Sequence, residues 1–261
     1  MASSPERMPV LFVGHGSPMN AIEDNQWSRG FRALGEQLPR PRAILSISAH
    51  WFVAGTFLTG NARPKTIHDF GGFPQALYDM QYPAPGDPEL AGRVAALLGE
   101  DRVTVTDQWG LDHGTWSVLH HLRPEADCPV VQLSIDRDLP PAEHLALARG
   151  LQPLRNEGVL MMGSGNMVHN LGHALAHSDD PETPPWAIRF DADVTQALEQ
   201  RDGEFLGRAP ETDDGRVAHP SLDHYLPLLY AFGAALPEDA VSYPLMGFDL
   251  CSLSMRAVLF G

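Results

Sequence analysis

The sequence predicts a single-domain α/β layered sandwich with a central, largely parallel or mixed sheet flanked by helices. Three observations lead there. Short apolar runs, most of them rich in Val, Ile or Leu, recur along the chain, as strands covered on both faces should read. Helical patterns lie between them, and that alternation implies a layered sheet, largely parallel in its first half. The chain has 261 residues, with 43% of them hydrophobic and 20% charged; that is long for one domain but within range of an α/β fold. No repeat or low-complexity linker divides it. One catalytic domain over 1–261 is therefore expected, with 1–7 as a flexible tail.

The elements follow in order. Strands are expected at 9–13, 43–48, 103–106, 129–135 and 158–162. Trp27, Phe31, Leu34 and Leu38 recur at helical spacing. Asp87-Pro88-Glu89 supplies an N-cap, a first-turn proline and an acidic follower to a helix over 90–98. Pro140-Pro141-Ala142-Glu143 opens another that runs towards Arg155, and helices over 188–200 and 222–236 complete the set. The proline-rich pieces 82–88 and 180–185 read as loops within the domain, since neither is followed by a shift in composition.

Charge and cysteine content exclude several classes. Eighteen Lys and Arg against 33 Asp and Glu give a net charge of −15, and no basic run offers a nucleic acid its phosphate contacts. No apolar stretch reaches the roughly 18 residues that a membrane span needs. The stretch 8–13 is too short for a signal peptide. Cys128 and Cys251 lie far apart and form no CxxC pattern, which rules out a disulfide framework. A cytoplasmic enzyme is the expectation.

Histidine is the outlier, at 12 residues. His120, His121, His144, His173 and His177 read as surface scatter. Others stand where chemistry belongs, because ligands of open α/β sheets bind beyond the carboxyl ends of the strands. The first strand runs into Gly14-His15-Gly16-Ser17-Pro18, the second into Ser48-Ala49-His50-Trp51, and the fifth into Gly163-Ser164-Gly165-Asn166 with His169 close behind. One histidine there is more often a satisfied core residue; three in register point to a metal centre. The glycines beside His15 permit a sharp turn and close approach to a ligand. A serine-nucleophile elbow (G-x-S-x-G) is absent, and Gly163-Ser164-Gly165 lacks the Lys-Ser/Thr of a phosphate loop. Asp112-His113 pairs a carboxylate with an imidazole, a weak acid–base signal by itself. In His219-Pro220-Ser221-Leu222-Asp223-His224, either Asp223 or His224 can reach inward, and adjacent helical positions point about 100° apart.

These motifs together resemble the class III extradiol ring-cleaving dioxygenases, and within them the 4,5-DOPA extradiol dioxygenase-like branch. GHGSP at 14–18, SAHW at 48–51, DHGTW at 112–116, GSGNMVHNLG at 163–172 and HPSLDHYLPL at 219–228 carry the resemblance, with IHDFGGFP at 67–74 and YPAPG at 82–86 beside them. It spans nearly the whole chain from Val10 to beyond Gly247. It implies that His15, His50 and His224 bind one divalent metal per chain. It also implies that His169 is an acid–base group, or a further ligand in zinc-bound members, and that Asp112 and His113 are a catalytic pair, Asp112 orienting His113 or tuning its pKa. The wider class has a glutamate as third ligand. A histidine there removes a negative charge and suits zinc better than the usual triad does.

The implied reaction is cleavage of a catechol ring, such as that of DOPA, by O₂. It needs a metal with open positions and a redox couple, so Fe(II) is expected for turnover, while Zn(II) is plausible as the bound ion. His113 and His169 share the acid and base roles in an order the residues leave open. Two rivals stand beside this reading: a zinc hydrolase with the same ligands, and a binding module that has lost the chemistry.

Overall fold

Residues 7–180 and 182–261 are described in the computed structural model. Residues 1–6 of the expected tail lie outside them. Arg7 is placed, and its guanidinium donates to Glu238 and Asn156.

Among the described residues the strands are β1 (Val10–Gly14), β2 (Ala43–Val53), β3 (Thr56–Thr59), β4 (Val103–Thr106), β5 (Val130–Asp136), β6 (Val159–Gly165), β7 (Val241–Leu245), β8 (Phe248–Asp249), β9 (Leu253–Ser254) and β10 (Ala257–Phe260). The helices are α1 (Gln26–Gln37), α2 (Gln75–Tyr78), α3 (Pro88–Leu98), α4 (His113–Leu122), α5 (Pro141–Gly150), α6 (Leu171–Ala176), α7 (Pro185–Gln200), α8 (Gly203–Arg208), α9 (Asp213–Ala218) and α10 (Leu226–Ala234). Eight strands form one sheet in the order β4-β3-β5-β2-β6-β1-β10-β7. Its centre is parallel, through β5-β2, β2-β6 and β6-β1. Antiparallel pairs β1-β10, β10-β7 and β3-β5 make the whole sheet mixed.

Alternation along the central strands explains the layers. Val10 and Phe12 enter one core with Leu45, Ile47, Val131, Leu133, Val159 and Met161, beneath α3, α5, α7 and α10. Leu11 and Val13 enter the other with Ile44, Val130, Leu160 and Met162, beneath α1 and α4. Both faces are therefore dry, which is why these strands read as continuous apolar runs. The result is a single α/β domain of three layers.

Several expectations need correcting. The second strand does not stop at residue 48 but continues to Val53, so His50 lies on it. Its pairing with β5 slips between Ile47 and Phe52, an irregularity that re-aims the side chains just there. The helix expected towards Arg155 breaks at Gly150 and continues as a short 3₁₀ segment containing Pro153. The helix expected from 222 starts at Leu226, and residues 221–225 form bends and turns instead. Strands β3 and β7–β10 are too short or too exposed to carry a clear apolar pattern.

Candidate metal centre and active site

The adjacent strands β2, β6 and β1 deliver their carboxyl ends to one edge of the sheet. His15 follows β1 directly, held by its N–H donating to Gly165 O. Gly16 then turns the chain at φ +62°, a conformation that favours glycine. His50 comes from β2. His113 is the first residue of α4, whose N-cap is Asp112. His224 stands in the turn before α10, and its carbonyl accepts from Asn166 N–H just past β6. His169 follows β6, anchored by its N–H to Ala218 O.

These five imidazoles meet. His15 Nε2 and His50 Nε2 face each other at 3.1 Å. Ring nitrogens of His15, His50 and His113 all lie within 4.8 Å of one another. His169 stacks flat on His224, with centroids 3.4 Å apart and planes 1° from parallel. Thus the three histidines expected at strand ends do reach the same edge, joined by His113 and His224.

Hydrogen bonds fix which nitrogen of each ring is bare. The Ser164 hydroxyl donates to Gly114 O at 2.5 Å, so His15 Nδ1, 3.0 Å from the same oxygen, must donate to it. His50 Nδ1 and His113 Nδ1 lie 3.2 and 3.0 Å from Asp69 Oδ2, and a carboxylate can only accept. His224 Nδ1 donates to Asp223 at 2.7 Å. All four rings therefore carry their proton on Nδ1 and leave Nε2 as a lone pair. Two such lone pairs at 3.1 Å repel unless a metal ion or a proton sits between them, and imidazoles with oriented Nδ1–H groups suit a metal site.

Ring spacing sorts the ligands. A metal–nitrogen bond of about 2.0–2.1 Å at tetrahedral angles sets ring centroids about 5.2 Å apart. His15–His50, His15–His224 and His50–His224 are at 5.0, 5.2 and 5.1 Å. His113 approaches His50 to 3.8 Å, closer than two ligands of one ion stand, although its ring nitrogen, and not that of His224, groups with those of His15 and His50. His169, stacked at 3.4 Å on His224, fails the same criterion. By this measure the first three rings are spaced as ligands of one divalent ion would be.

The electrostatics are those of a buried imidazole cluster. Burial, then the neighbouring histidines, hold His15 well below its ordinary range. Burial and then His224 push His169 down to about 2. His224 falls to about 4, chiefly through burial, against the pull of Asp223. His113 is lowered by burial and by His50. His50 is the exception: burial lowers it, but its hydrogen bond to Asp69 and the charges of Asp112, Asp69 and Asp223 prevail and raise it.

The carboxylates differ from the sequence reading. Asp112 does not meet the His113 ring. It is fully buried, caps Thr115 N–H at 3.2 Å and accepts a short bond from Gln132 Nε2, and burial raises its pKa. The partner of His113 is Asp69, from the loop between β3 and α2. Neighbours in sequence at a helix start point different ways, so only the fold reveals this pairing; the signal was present in the Ile67–Pro74 motif but its aspartate carried no assigned role. Asp223 supports His224 and does not replace it. Nor are all the remaining histidines superficial. His121 is buried and donates to Asn20 O, and His144 is buried against the Tyr230 hydroxyl.

Comparison with known proteins shows the family. Residues 9–249 match the family described as the catalytic LigB subunit of aromatic ring-opening dioxygenase. The chain is 47% identical over 262 residues to the 4,5-DOPA dioxygenase extradiol of Escherichia coli (strain K12), covering 99% of this chain and 96% of that protein. The Beta vulgaris protein of the same name is 39% identical over 242 residues, covering 90% of each. The crystal structure of an uncharacterized protein from E. coli K12 superposes with a TM-score of 0.85 at 42% identity, covering 98% of this chain and 100% of that one. The chain therefore belongs to the LigB family of aromatic ring-opening dioxygenases and is an extradiol ring-cleaving enzyme that uses a small aromatic molecule and O₂.

Proposed function

We propose that the chain opens the ring of a catechol, with DOPA as a substrate, at one divalent metal held by His15, His50 and His224. The observation that carries this reading is the near-equilateral triangle of those three rings, at 5.0, 5.2 and 5.1 Å, each with its Nδ1 proton already committed. Bound there, Fe(II) supplies open coordination positions and a redox couple for dioxygen; Zn(II), which an all-imidazole set also suits, supplies only the first.

The chain's own residues handle the protons. His113 has its Nδ1–H engaged and its Nε2 free, so it is disposed to accept a catechol hydroxyl proton and later return it. His169, held neutral by burial and with no ring hydrogen bond among the described residues, is the second acid–base group. Asp112 acts at a distance, as the cap that sets where α4, and hence His113, begins. Phe70 meets the His113 ring edge-on at 5.5 Å and joins Phe73 and Tyr78 in an aromatic wall beside it, a surface suited to an aromatic substrate.

No helix among the described residues is long and apolar enough to cross a membrane. Both cysteines are unpaired, which suits the cytoplasm as the working compartment. The zinc-hydrolase and binding-module alternatives lose ground to the ring-opening family membership. The test is anaerobic loading with Fe(II), followed by DOPA and air. A yellow ring-opened product, with one O₂ consumed per DOPA, is expected; a loaded enzyme that takes up no oxygen with any catechol overturns the reading.

A further inference from the structure

We propose that Asp69 is a positioning residue shared by the two halves of the site, aligning the metal ligand His50 and the acid–base group His113 through one carboxylate oxygen. The inference rests on the ligand assignment proposed above. Two segments distant in sequence converge on this side chain. His50 Nδ1 from β2 lies 3.2 Å from Asp69 Oδ2, and His113 Nδ1 from α4 lies 3.0 Å from the same atom. The other oxygen, Oδ1, accepts the His113 backbone N–H at 2.9 Å. The side chain is only 17% exposed, so water is a poor substitute for these contacts.

The geometry has two consequences. Both imidazoles are locked in the Nδ1–H tautomer, so His50 Nε2 faces His15 as a donor to metal and His113 Nε2 remains a proton acceptor. The two rings are also held 3.8 Å apart at 48°, too close for both to ligate. A carboxylate that fixes one ring as ligand therefore keeps its neighbour free. Asp112, the acid adjacent in sequence, does not serve: it faces Thr115 and Gln132 and bonds neither imidazole.

The experiment compares Asp69→Asn and Asp69→Ala with the unaltered protein, each alone and in a His113→Ala background. Zn(II) affinity is read by chelator competition, kcat and KM with DOPA on the Fe(II)-loaded enzyme, and apo-protein stability by melting. Loss of such an outer partner typically weakens metal binding about 10–100-fold. Asp69→Asn, which keeps the shape, is expected at the lower end of that range and Asp69→Ala at the upper end. In the unaltered background kcat also falls. In the His113→Ala background the metal still weakens, through His50, but kcat falls no further at saturating metal. Asp69→Asn with unchanged Zn(II) affinity overturns the proposal, as does a lower melting temperature with no loss of affinity, which marks a merely structural loop contact. Weakened Zn(II) binding in a protein that opens no catechol ring sinks the proposed function and leaves this role for Asp69 standing.

Discussion

Each imidazole at the centre has two nitrogens, and its chemistry depends on which one the fold occupies. Ser164, Asp69 and Asp223 occupy Nδ1 in turn and leave Nε2 to a metal or a substrate proton. The tautomer does not separate His224 from His113; ring spacing does, where nitrogen proximity alone would exchange them. His224→Ala is expected to leave the metal site nearly empty by elemental analysis. His113→Ala is expected to retain metal while losing turnover by about 10²–10⁴-fold, the usual contribution of a general acid–base group. Metal loss in His113→Ala with full occupancy in His224→Ala reverses the assignment. The sequence displayed His15, His50, His169 and His224 through their glycine-flanked or motif positions. It could not display Asp69, because a loop residue 44 positions from its partner gives no periodic signal.

At the scale of elements, the site depends on how tightly α4 seats against the ends of β1 and β2. A Cβ on Gly114 would stand 2.5 Å from Ser48 Oγ, 2.9 Å from His50 Cδ2 and 3.4 Å from His15 Cε1. Gly114→Ala is therefore expected to push two ligand rings apart, lowering metal affinity by more than it lowers the melting temperature of the apo form; a normal metal Kd in that variant contradicts the seating described. The central strands were legible because burial on both faces makes them uniformly apolar. Strand β7 was not, since Val241-Ser242-Tyr243-Pro244-Leu245 is half-exposed at the sheet edge and carries a proline. The start of α10 misled for a different reason. Leu222 fits an apolar helical pattern, but Asp223 engages His224 locally, and the helix begins only at Leu226.

Across the whole molecule, function and stability occupy opposite ends of the sheet. At the amino end of β1, Arg155 is 1% exposed, bonds Met8 O, and pairs with Asp239 at 2.5 Å. Removing one partner of a buried pair costs about 3–5 kcal/mol, so Asp239→Ala should unfold more easily in denaturant titrations yet bind metal normally. The active end carries the acid sensitivity. His224 and His219 are depressed to about 4 and His169 to about 2 from an ordinary 6.5, in each case first by burial. Their contribution is fully present above pH 6.5, where folded and unfolded chains are both neutral. It is lost progressively from 6.5 down towards 4, as only the unfolded chain takes up protons. Melting of the apo-protein should fall across that window, and a flat profile there contradicts the buried neutral cluster. The central claim, a redox-competent metal in a triangle of three histidines, meets its most direct test in an oxygen electrode. The same apo-protein is loaded with Fe(II) or, after chelation of trace iron, with Zn(II), and given DOPA. Oxygen uptake with Fe(II) and none with Zn(II) is predicted; equal uptake with both, or uptake with neither, contradicts it.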